Sequence, residues 1–203
     1  MSDPVQAILQ VADDFFAKGD FREASRKYLE VLRIQSDHPI ALHHLGLCCY
    51  RTGSHEQARN LMFQSVSIQQ NNAVAHDHLG VVLVALNDFI HAEASFKNAI
   101  AIQPSYVDAY HNLGALLIKQ KHYSRALAML ENAPSTPKGA FSRHKLLGQT
   151  HLLLGNTDQA LTHLEQALMQ RSSDPDVLSD IATALEKQSR HSEALKFHSL
   201  AIG

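Results

Sequence analysis

The chain has 203 residues, 45% of them hydrophobic and 19% charged, with 18 Lys plus Arg against 20 Asp plus Glu. This composition excludes a disordered chain, and the absence of a basic run excludes a nucleic-acid footprint or an anionic-membrane surface. The opening MSDPVQAILQVADDFF is no basic leader, no apolar run reaches the roughly 18 residues that span a bilayer, and adjacent Cys48 and Cys49 cannot easily bridge each other, so a cytoplasmic protein is expected.

Internal self-similarity organises everything else. A 34-residue frame opens at Val5, Pro39, Ala73, Val107, Phe141 and Pro175 with no insertion or deletion. Its eighth position reads Ala12, Gly46, Gly80, Gly114, Gly148 and Ala182, and its twentieth is Ala24, Ala58, Ala92, Ala126, Ala160 and Ala194. The seventh is aliphatic throughout, from Val11 and Leu45 to Ile181, and the twenty-fourth is large, from Tyr28 and Phe96 to His198.

Within each frame apolar residues recur at spacings of three and four in two runs, such as Leu79, Gly80, Leu83 and then Ala92, Phe96, Ala99, Ile100. Each run predicts one amphipathic helix, A then B. In chain order, Asp3 before Pro4 suits the start of the first A helix, Asn72 before Ala73 the third, Ser105 after Pro104 the fourth and Asp174 before Pro175 the sixth. Gly19, Gly53, Asn87 and Gly155 open the break between A and B, where a left-handed residue ends a helix. Four mid-helix glycines each cost about 1 kcal/mol relative to alanine. Close approach of A to B, with the alanine column as the facing surface, is the expected compensation.

These columns resemble the tetratricopeptide repeat family over nearly the whole chain. Frame three carries Leu79, Gly80, Leu83, Ala92, Phe96, Ala99 and Pro104 at that family's offsets, and frame four Tyr110, Leu113, Gly114, Leu117, Ala126 and Ala133. The resemblance implies an all-α, right-handed superhelical solenoid of six helix-turn-helix repeats whose A helices form a concave wall that binds proteins or peptides. The run Ala133-Pro134-Ser135-Thr136-Pro137-Lys138-Gly139 breaks the pattern, because proline must end the fourth B helix near Asn132. An irregular joint at 133–139 is therefore expected between repeats one to four (5–138) and repeats five and six (139–203), either a local distortion or a hinge. Beyond Leu195, Ala201 and Ile202 no polar helix follows Gly203. Solenoids shield their terminal apolar face, which suggests a piece of a longer protein, or self-association through that end.

On helix A the second, fifth, sixth, ninth and twelfth positions are expected to look into the groove. The sixth gives Gln10, His44, His78, Asn112, Leu146 and Asp180. Asn112, in AYHNLGALL, is similar to the asparagine column of O-linked N-acetylglucosamine transferases, which holds extended polypeptide. Amide and neutral imidazole groups both donate and accept, so this column could read peptide backbone; a merely solvated polar face is the alternative. Beside it lies an apolar strip of Ile40, Leu47, Tyr50, Val74, Val81 and Ala115, flanked by His43, Asp77, Asp108, His111 and Lys145. An apolar or amphipathic peptide suits such a floor, although packing between repeats explains the same residues.

The Lys/Asn/Arg clamp of chaperone-adaptor members is not expected, since at the fifth position only Lys145 has the right charge and Asp180 would repel a carboxylate. His43, His44 and Cys48 hint at a metal site, but His43 and His44 diverge by about 100° around a helix, and His76 and His144 are expected in the core. No metal and no cofactor is expected. Paired Asp13-Asp14 is read as solvated, and no phosphate loop, HExxH or GxSxG motif is present. The sequence therefore reads as a non-catalytic protein-protein interaction scaffold; the alternative is the substrate-recognition arm of a larger enzyme, such as a glycosyltransferase, cut after Gly203.

Overall fold

A computed structural model describes residues 4–202 of the chain; the cap expected at Asp3 and the end at Gly203 lie outside them. Twelve helices, and no strand among the described residues, follow the frame. The A helices are α1 (Pro4–Ala17), α3 (Pro39–Arg51), α5 (Ala73–Ala85), α7 (Val107–Lys119), α9 (Ala140–Leu154) and α11 (Pro175–Lys187). The B helices are α2 (Phe21–Ile34), α4 (His55–Ile68), α6 (Phe89–Ile102), α8 (Tyr123–Glu131), α10 (Thr157–Gln170) and α12 (His191–Ile202). Every B helix begins at the same position of the frame. The chain forms two compact units, Met1–Gln103 and Pro104–Gly203, each a stack of three helix pairs.

The first unit packs each helix on the next, and α3 also touches α5. Ala12, Ala24, Tyr28, Val31, Ala41 and Cys48 are fully excluded from solvent there. The second unit repeats the pattern, with α9 touching α7 and α11 besides its sequential neighbours. The seventh position is buried within the units, Leu45, Leu79, Leu113, Leu147 and Ile181 being at most 5% exposed. Val11, which has no described pair ahead of it, is 42% exposed.

The eighth-position glycines do mark close A–B approach, but against a different partner than expected. A Cβ on Gly80 would lie 2.5 Å from Phe96 Cε1, one on Gly114 would lie 2.6 Å from Leu130 Cδ2, and one on Gly148 would lie 2.6 Å from Leu164 Cγ. These are the large twenty-fourth-position side chains; the alanine column contributes its backbone, Ala58 O and Ala160 O, each 3.3 Å from the corresponding Cβ. The absence of a Cβ at these glycines thus makes room for a large residue at full burial.

Gly19, Gly53, Asn87 and Gly155 are left-handed as expected, and Lys121 (φ 62) and Ser189 (φ 61) adopt the same conformation at the equivalent frame position. A Cβ there costs about 1 kcal/mol, which the break between helices imposes whatever the residue. Asn72 and Asp174 cap α5 and α11 by accepting from Ala75 N and Val177 N, each at 3.0 Å. Ser105 does not cap α7, whose N-cap residue is Tyr106.

The fourth B helix ends at Glu131, as the proline requires. Its carbonyls are satisfied from α9, where Arg143 donates to Leu130 O (3.3 Å) and Glu131 O (3.2 Å). Ala133 is 5% exposed, and Gly139 is packed so closely that a Cβ would meet Val107 Cγ1 at 2.8 Å. Segment 133–139 is thus laid against α7 inside the second unit.

Candidate functional site

The A-helix residues expected in the groove separate into two groups. Ile40 (46%) and Val74 (37%) are exposed on α3 and α5, as are Asp108 and Ala115 on α7, while His44, Leu47, Tyr50, His78, Val81, Asn112 and Lys145 are half-buried. His43, Asp77 and His111 correct the expectation: at 6%, 2% and 7% exposure they are packed between helices and offer no groove surface. His43 points along the stack to His78 on the next A helix, which period and spacing alone did not reveal.

In the first unit this seam is built of imidazoles. His43 Nε2 lies 2.8 Å from His78 Nδ1, one donating and the other accepting, with the rings stacked at 5.0 Å. Burial first, then neighbouring His78 and His44, push the His43 imidazole down to about 3. His44 Nδ1 lies 3.1 Å from Asp13 Oδ1 and 3.2 Å from the Tyr28 hydroxyl, which donates to Asp13 at 2.6 Å. Burial and that carboxylate raise the Tyr28 phenol well above its usual range. Asp13, expected to be merely solvated, is therefore the anchor of the seam between the first two repeats.

In the second unit the seam between repeats five and six is ionic. Lys145 Nζ donates to Asp174 Oδ1 at 3.0 Å and to Asp176 Oδ2 at 2.7 Å, and Gln149 Nε2 donates to Asp180 Oδ2 at 2.8 Å. Burial raises the Asp180 carboxyl despite that bond. Asp174 is held below the usual carboxylate range, burial being outweighed by the Val177 N–H and Lys145. Lys145 is thus occupied by its own chain.

The other expected histidines are not in the core. His76 is half-buried with Nε2 3.0 Å from Gln70 O, and His144 Nδ1 lies 3.1 Å from His163 Nδ1, with His151 stacked on His163 at 5.4 Å. Burial lowers all three members of that α9–α10 cluster. Among the described residues no group of three or more His, Cys, Asp or Glu is arranged to hold a metal ion, and no helix is long and apolar enough to cross a membrane. Cys48 and Cys49 are buried free thiols; burial first pushes Cys48 up to about 11.

The periodic glycine and alanine contacts, paired helices and shared seams define a repeat family. One tetratricopeptide repeat profile matches residues 9–72 and 145–202, and a second matches 83–149. The chain is a tetratricopeptide repeat protein. By its family it is a protein-interaction scaffold. No curated protein sequence matches it at a significant level. Solved structures share the fold. PilW, a type IV pilus biogenesis factor, is 19% identical with a TM-score of 0.87, covering 98% of this chain and 92% of its own. MamA from Desulfovibrio magneticus RS-1, residues 41 to the end, is 19% identical with a TM-score of 0.73 over 82% of this chain and 94% of its own. YrrB, described as a tetratricopeptide repeat protein with an unusual peptide-binding site, is 18% identical with a TM-score of 0.69 over 86% and 90%.

Proposed function

We propose that this tetratricopeptide repeat protein is a non-catalytic scaffold that binds a peptide segment of a partner protein along its A-helix face. The observation that carries this reading is the alternation on α3 and α5. Exposed Ile40 and Val74 and half-buried Leu47 and Val81 share that face with His44 and His78. Apolar side chains supply contact area beside polar rings, a combination suited to an extended or amphipathic segment. His43, Asp77 and His111 act as positioning residues, fixing the A helices against each other. The buried free thiols support action in a reducing compartment, the cytoplasm.

The test is affinity capture from the source lysate with mass spectrometry, comparing the native chain with an Ile40→Glu, Val74→Glu variant of unchanged helicity. Both positions are exposed, so the fold tolerates the change. Loss of a specific protein with the variant is the expected result. A catch that does not change moves recognition away from the A helices and overturns the proposal.

A further inference from the structure

A second feature lies in the first unit on its B helices, and it arises from a local departure in the repeat. At the twenty-third frame position the other repeats carry Lys27, Leu61, Met129, His163 and Phe197, all long or bulky and half-buried, with Leu61 and Phe197 packed on the apolar clusters of their units. Repeat three has Ser95 there, preceded by Ala94 where repeat two has Asn60. Two small residues on α6 leave the space unfilled. The result is a hollow of about 470 Å³ between α4 and α6, floored by Leu79 and Leu83 of α5 and walled by Val66 and Phe63 of α4.

The floor is buried, Leu79 and Leu83 being 5% exposed and Val66 7%, whereas Phe63 at the wall is 62% exposed. An aromatic ring left in water beside an apolar hollow gains contact only when something enters. Polar groups gather at the mouth, among them Arg59, paired with Glu56 at 2.8 Å, and Asp88, which holds His91 Nδ1 at 2.8 Å. A second hollow of about 480 Å³ shares His76 and Asn98 with the first, so space continues along α6 beyond the pocket.

We infer that the hollow between α4 and α6 is a second binding site, taking one leucine- or phenylalanine-sized side chain from a partner protein. The chain itself indicates the size, because Leu61 and Phe197 occupy the corresponding place in other repeats. The connected second hollow leaves room for the partner backbone, and the polar mouth can meet its amides. This site shares α5 with the A-helix face but uses different residues of it, Leu79 and Leu83 rather than Val74 and Val81.

The experiment is methyl NMR on the full chain, following Val66, Leu79 and Leu83 while a short blocked glycine–serine peptide with one central phenylalanine is added. Parallel titrations use leucine or lysine at that place, and toluene alone. The phenylalanine and leucine peptides should shift these methyls saturably and the lysine peptide should not. Ser95→Leu, which installs the side chain of repeat two, should weaken the effect by about tenfold or more. Phe63→Ala, at an exposed position that the fold does not need, should weaken it severalfold and decides the matter if Ser95→Leu fails to fold. The inference is overturned if no apolar peptide shifts the methyls, if only toluene does, or if the folded variants bind as the native chain does. The Ile40→Glu, Val74→Glu variant should bind these peptides normally, which keeps this test separate from that of the A-helix face.

Discussion

The seam between repeats two and three and the seam between repeats five and six each start from the fifth frame position of an A helix, His43 and Lys145, but differ in chemistry. In the first, His43 meets His78 as two stacked imidazoles; in the second, Lys145 meets Asp174 and Asp176. Fold geometry thus demands a bridge at this height of the helix and leaves its chemistry open. The difference sets how each seam responds to pH and how much each resists substitution.

The largest expected effect lies where the two units agree. Gly80→Leu and Gly148→Leu should each cost about 3 kcal/mol or more by overpacking, since a bare Cβ already intrudes on Phe96 or Leu164. Chemical denaturation of each variant checks this; a tolerant Gly148 would mean that the units pack differently after all.

Acid should separate the seams. His43 stays neutral when folded down to about 3, whereas an unfolded histidine takes a proton near 6.5. Its stabilisation is therefore complete above about pH 6.5 and is lost as pH falls toward 3. The loss should reach about 2 to 3 kcal/mol by about pH 4.5. Denaturation midpoints against pH should show the slope, and His43→Gln should flatten it. The slope that survives belongs to His111, His144, His151 and His163, which burial also lowers. The Lys145 bridge should persist until Asp174 protonates, below the ordinary carboxylate range.

Arg143→Ala sharpens the contrast from the other side, because it removes a bridge that has no counterpart among the described residues of the first unit. Uncapping Leu130 O and Glu131 O should cost about 1 to 2 kcal/mol, with amide exchange of α8 and segment 133–139 accelerated before that of α10. Lys145→Met should cost about 1 kcal/mol, because its pair with Asp174 is largely shielded while its pair with Asp176 is solvated. A loss several times larger would make the ionic seam as important as the histidine seam. Smallest of all, Lys121→Gly should raise thermal stability by a few tenths to about 1 kcal/mol by relieving its left-handed backbone.

Much of the fold was legible because the repeat restates each constraint six times. Gly46, Gly80, Gly114 and Gly148 marked close approach, Gly19 and Asn87 marked helix ends, and Pro134 marked an early stop. What the frame did not reveal was direction. His43, Asp77 and His111 look like groove residues on a helical wheel, yet all three are buried, His43 against His78 of the next A helix. The packing partner of Gly80 proved to be Phe96 rather than Ala92. Asp13 and Ser95 carried no motif at all, and a comparison of equivalent frame positions would have found only the second.

The sequence by itself determined the number, length and register of the helices and the family, because 3.6-residue periodicity and left-handed breaks are local properties of the chain. Only the tertiary structure decided which polar side chains are spent between helices and which remain for a partner. It also decided that the small Ala94–Ser95 pair leaves a hollow. Both outcomes depend on the distance and facing of neighbouring helices, which no residue encodes alone.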